Sequence, residues 1–71
     1  MQPFQERVLT ERKELREKLT LLTSFISGNP GFRALDAEDQ RLLRTQRNIM
    51  SEYLDVLEDR IARFPALNAD K

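Results

Sequence analysis

Leu43, Met50, Leu57 and Phe64 recur every seven residues through the second half of the chain. That spacing keeps apolar side chains on one side of an α-helix. Tyr53, Leu54 and Ile61 widen the stripe, and a second heptad row of Leu42, Ile49 and Val56 lies on its flank. The pattern predicts one helix over Asp36 to Phe64, a stretch with no Gly and no Pro to interrupt its hydrogen bonding. Asp36 is placed to cap its N-terminus, and Glu38 and Asp39 follow where carboxylates favour the positive end of the helix dipole. Pro65 ends it, because the residue before a proline is pushed out of the α region. Such a helix is about 40 Å long. About half of its circumference is apolar, which is more than one antiparallel neighbour covers. Gln46 and Arg60 stand in line with Tyr53 at heptad spacing, where polar residues commonly set the register of a helix interface.

The first half carries a matching pattern. Val8, Leu15, Leu19, Leu22 and Ile26 follow three-, four- and seven-residue steps and predict a helix from about Phe4 to Ile26. Pro3 suits a first helical turn, where a missing N–H costs nothing. Leu21 and Phe25 lie to one side of the stripe, and the charged run from Thr10 to Lys18 reads as solvated surface. Lys18 is set apart by standing where the charged half gives way to the apolar half, next to Leu19 and Thr20. Lys18 and Thr20 do not face each other on one helix, but both can line a pocket whose other wall is a second chain. Ser27 to Leu35 is the single break, with Gly28 suited to follow a helix end and Asn29-Pro30-Gly31 as turn chemistry. Phe32 and Leu35 are expected to tuck back onto the hairpin. The expected organisation is therefore one all-α domain over residues 1–71, an antiparallel hairpin of two long helices (about 4–26 and 36–64) with a tail over 65–71.

Seventy-one residues bury little core alone, and the chain has no Cys for a disulfide and no His or Cys cluster for zinc. Self-association is the remaining route to stability, so a compact homo-oligomer is expected. Twelve basic and twelve acidic residues give no net charge, which argues against a DNA- or RNA-binding surface. No apolar run is long enough to span a membrane, and the first apolar cluster is too interrupted by charge for a signal peptide. Without His or Cys, Ser and Thr have no evident base partner, and no Gly-rich phosphate loop or metal-ligand set appears. Neighbouring carboxylates such as Glu11 and Glu14, or Glu58 and Asp59, read as surface charge. The expectation is a binding protein without catalytic residues, cofactor or metal.

The ordered set Phe25-Ile26, a turn, Phe32-x-x-Leu35, Glu38, Leu42-Leu43, Gln46, Met50, Tyr53-Leu54, Leu57 and Arg60-Ile61 resembles the helical hairpin of phage anti-CBASS cyclic-oligonucleotide sponges. The hairpin domain of the related anti-Thoeris sponges is similar. The resemblance covers nearly the whole chain and implies a hexamer that binds cyclic nucleotide messengers without cleaving them. The place of action it implies is the cytoplasm of an infected bacterium. Family members hold a cyclic dinucleotide such as cGAMP between protomers with an N-terminal aromatic and a first-helix lysine. Phe4 and Lys18 match these, although the aromatic is associated with tyrosine, and losing its hydroxyl keeps stacking while removing a hydrogen bond. A second site, for cyclic trinucleotides, uses a first-helix threonine and a late second-helix arginine. Thr20 and Arg60 are the nearest matches, with Pro3 beside the aromatic where a backbone contact falls.

The residues themselves leave an alternative open: a helical-hairpin adaptor that oligomerises or binds a protein partner. A small DNA-binding regulator fits poorly with the neutral charge and the lack of a helix-turn-helix.

Overall fold

The computed structural model describes residues 2–65, and all of its regular structure is helical. Helix α1 spans Pro3–Gly28, a short α2 spans Pro30–Arg33, and α3 spans Ala37–Ala62. Phe4 lies against Phe64 and Arg12 against Glu58, so α1 and α3 run antiparallel. The resulting rod measures 50 × 19 × 16 Å.

Local chemistry sets the helix ends. Pro3 occupies the first turn of α1, and the Gln2 N–H donates to Gln5 Oε1 at 2.9 Å. That bond gives the buried Gln5 side-chain oxygen its partner, and among the described residues no buried side-chain nitrogen or oxygen lacks one. At the start of α3 the Asp39 N–H donates to Asp36 Oδ1 at 2.8 Å, the cap expected there. The helix closes at Ala62, a little before the expected Phe64. The Arg63 and Phe64 N–H groups donate to the Arg60 and Ile61 carbonyls, tightening the last turn.

The connection differs from the expected open turn. α1 continues through Gly28, which adopts no positive φ and is the last helical residue rather than the one beyond it. Asn29 breaks the helix with extended backbone, and its side chain accepts from the Gly31 N–H at 2.7 Å. With Pro30 at the first position, that cap starts α2 at once. The segment is thus a helical knuckle. Phe32 is buried in it and meets Phe25 edge-on, with ring centroids 6.0 Å apart. The Arg44 guanidinium also lies over the Phe32 ring, 5.2 Å from its centroid. Gln40 Nε2 donates to the carbonyls of Phe32 (3.0 Å) and Leu35 (3.1 Å), tying α3 to the knuckle.

The main core sits toward the open end of the hairpin. Val8 and Leu15 of α1 pack with Leu57, Ile61 and Phe64, and Leu9, Met50 and Leu54 flank them. Leu57 is completely enclosed; burying such a side chain contributes about 1.5–3 kcal/mol. Of the expected α1 stripe, Leu19, Leu22 and Ile26 are half-buried. The second α3 row stays outside: Leu42, Ile49 and Val56 are exposed, and Tyr53 joins them.

Candidate functional site

Two side-chain groups divide the surface of the rod. On one flank Arg12 donates to Glu58 at 3.1 Å, and Arg16 donates to the other oxygen of the same carboxylate. Residues that had the look of plain surface charge are in fact a cross-helix clamp. The Arg12 guanidinium, aided by Arg16, holds the Glu58 carboxyl below its ordinary range against a smaller opposing effect of burial.

Helical geometry assigns the expected ligand residues to flanks. Thr20 is one turn beyond Arg16 and shares its flank, where Arg16, Glu17, Thr20 and Leu21 line a groove of about 460 Å³. Lys18, two residues on from Arg16, is turned roughly 200° about the helix axis onto the opposite flank. The same step from Glu58 takes Val56 and Arg60 to that opposite flank of α3. Lys18, Arg60 and the exposed row Leu42, Ile49 and Val56 therefore share one side of the rod, and Thr20 is on the other. Lys18, Thr20 and Arg60 are all exposed.

Neither expected pair is assembled within one protomer. Phe4 and Lys18 are fourteen residues apart on one helix, which is about 21 Å along its axis. Thr20 lies eight residues past Arg12, and Arg60 lies two past Glu58 in the opposite direction, an axial gap of about 15 Å. Phe4 is 49% exposed, with its ring held against Phe64 at the open end. Pro3 lines a second groove of about 590 Å³ with Glu6, Arg7, Thr10, Glu11 and Glu14. Three carboxylates against one guanidinium make that groove unsuited to a phosphate.

The chemistry available on one chain is accordingly partial: a half-exposed aromatic ring, separate cations and a continuous apolar row. Among the described residues no group of His, Cys, Asp or Glu is arranged to hold a metal ion, and no helix is long and apolar enough to cross a membrane. The clamp on Glu58 and the Gln40 tie escaped the sequence pattern. Both depend on which surface residues meet across the hairpin, and heptad spacing carries no signal of that.

Comparison with known proteins gives a family match. Residues 2–63 fit the model of a family described as Sequestin, whose name denotes sequestration and agrees with the sponge resemblance of the sequence. No curated protein and no solved structure matches the chain.

Proposed function

Because this chain belongs to the Sequestin family, we propose that it is a non-catalytic sponge for cyclic oligonucleotide second messengers. It takes up cyclic dinucleotides such as cGAMP, and cyclic trinucleotides at a second site, and holds them intact between protomers of a homo-hexamer. Captured messenger never reaches a CBASS effector in the infected bacterium. The observation that carries this reading is the family match over 2–63, nearly the full described length.

Physical chemistry supports it. A cyclic dinucleotide presents two phosphates and two flat bases with near-twofold symmetry. A pair of chains related by a twofold axis offers two lysines and two aromatic rings in matching symmetry. Lys18 supplies charge-assisted contacts to phosphate. Phe4 supplies a stacking face, at about 1–3 kcal/mol per base. Since one protomer keeps Phe4 and Lys18 far apart along α1, residues of two copies combine in one pocket. Lys18 lies beside the exposed row of α3, so a neighbour seated on that row also walls in the lysine. Thr20 and Arg60, on opposite sides of one rod, likewise meet only across copies, with Pro3 of a further end nearby. A sponge must outcompete a receptor, which requires a Kd near or below about 10 nM, roughly −11 kcal/mol. Sites held rigid by an oligomer reduce the ordering cost opposing that affinity.

The test is isothermal titration with 3′,3′-cGAMP beside the linear dinucleotide. Saturable nanomolar binding at about one ligand per two chains, with intact ligand recovered on denaturation, is the expected result. Silence across a panel of cyclic di- and trinucleotides would overturn the reading and leave a protein-binding hairpin adaptor in its place.

A further inference from the structure

Arg44 and Arg47 are cations that the chain leaves without an acid. Arg41, next to them on α3, is paired with Glu38. Toward the open end Arg12 and Arg16 share Glu58. Among the described residues neither Arg44 nor Arg47 meets a carboxylate. Arg47 is half-buried, and its Nε and Nη2 donate to Asn48 Oδ1 at 3.3 Å each. Arg44 is held over the Phe32 ring. Both contacts restrain a guanidinium without neutralising it. The two arginines stand at i and i+3, where like charges repel.

The clamp fixes what faces them. Arg16 touches Glu58, and turns of about 100° per residue carry that flank along both helices. On α1, Thr20, Thr23 and Ser27 fall within about 40° of Arg16. On α3, Ser51, Arg47 and Arg44 fall within about 40° of Glu58. Arg12 and Arg16 mark the levels opposite Glu58, which sets Arg47 level with the turn from Thr23 to Ser27 and Ser51 level with the turn from Leu19 to Thr23. A row of hydroxyls on α1 thus runs beside the two arginines of α3. Residues 18–35 and 40–51 contain no acid. Asp39 and Glu52, five residues from Arg44 and Arg47 respectively, are turned about 140° away from them.

We propose that this half of the flank binds a phosphate group. Arg44 and Arg47 supply two forks of N–H donors and the positive charge, and Thr23 and Ser27 supply hydroxyls from the facing helix. Glu58 shows on the same flank that two arginines one turn apart converge on a single anion. At Arg44 and Arg47 the anion comes from outside the chain. The hydroxyls favour phosphate over carboxylate: two arginines occupy both oxygens of a carboxylate, whereas a phosphate keeps further oxygens to accept from Thr23 and Ser27. Restraint of both guanidiniums before binding lowers the ordering cost. Thr20 and Ser51 continue the polar row toward the clamp, where the rest of a phosphate ester lies. Thr20 then shares a flank with cations of its own chain, which Arg60 on the opposite side does not provide.

The ester as part of a cyclic oligonucleotide rests on the proposed function, but the phosphate site does not, so the two readings fail separately. The test titrates inorganic phosphate into the native protein, against chloride at equal ionic strength, and follows the arginine Nε–H signals by nitrogen-15 NMR. Saturable shifts of Arg44 and Arg47, with Arg12 and Arg16 unmoved, are the expected result. Arg47→Gln, checked for folding by circular dichroism, is expected to weaken phosphate binding about tenfold. No shift, equal shifts in all arginines, or native affinity in Arg47→Gln would overturn the proposal. Cyclic triadenylate added to the phosphate complex identifies the source. Displacement of phosphate from Arg47 assigns the site to an ester of a captured ligand, and simultaneous binding assigns it to the free ion; both outcomes support a phosphate site.

Discussion

The Phe4 ring stands edge-on to Phe64 across the open end of the hairpin, with centroids 6.0 Å apart and planes at 73°. This contact holds the one exposed aromatic of α1 in a fixed orientation while leaving about half of it accessible. An aromatic face presented in this way loses little freedom when a base stacks on it.

Phe4→Ala is therefore expected to weaken cGAMP binding by about 5- to 150-fold, the range set by one stacked base. Phe4→Tyr is expected to bind within a few-fold of the native chain, since the ring remains. Calorimetric titration measures both, and an unchanged Kd for Phe4→Ala would remove this residue from the site.

Lys18→Ala is expected to abolish dinucleotide binding and to leave the assembly intact. The side chain is exposed on its own helix, so the hairpin core does not depend on it. Light scattering beside calorimetry separates the two effects. Native-like affinity in this variant would place the phosphate contact elsewhere.

Leu57→Ala is expected to destabilise the fold by about 2–5 kcal/mol, the cost of a cavity at an enclosed leucine. In a chain this small that is a large share of the whole. Urea unfolding monitored by circular dichroism at fixed protein concentration gives the value. A loss below about 1 kcal/mol would mean that the core collapses around the gap.

Glu58 gives a pH dependence. Its folded carboxyl is held below its ordinary value, chiefly by Arg12. The contribution to stability is then complete above the unfolded value and fades as pH falls through the folded one. The urea midpoints of the native chain and Glu58→Gln should differ near neutral pH and converge below about pH 4. Parallel curves over that range would show that ionisation of Glu58 contributes no stability through the clamp.

Much of the hairpin was legible because it rests on repeating patterns. The heptads through Leu57 and Val8 located both helices, and Asp36 announced the start of α3 with the bond it makes. The knuckle was less legible. Asn29-Pro30-Gly31 is equally good chemistry for an open turn and for a capped short helix, and the choice is made by Phe32 docking on Phe25. The exposure of Leu42, Ile49 and Val56 was foreshadowed by an apolar arc too wide for one neighbour. Which residues face one another was not, because Thr20 and Arg60 are assigned to opposite sides only once Arg16 and Glu58 are seen to touch. The sequence offered candidate residue types for a site but no place for them, and Phe4, Lys18, Thr20 and Arg60 do not converge within one chain.

The rod is 19 by 16 Å in cross-section, two helices thick, and so has no interior in which to enclose a molecule with two bases. For the proposed sponge, storage capacity would then belong to the population of chains and not to any one of them. A cell that makes too few copies would hold almost nothing, and one past the assembly threshold would gain capacity abruptly. Dilution would reverse this, returning the cargo unaltered as the walls come apart.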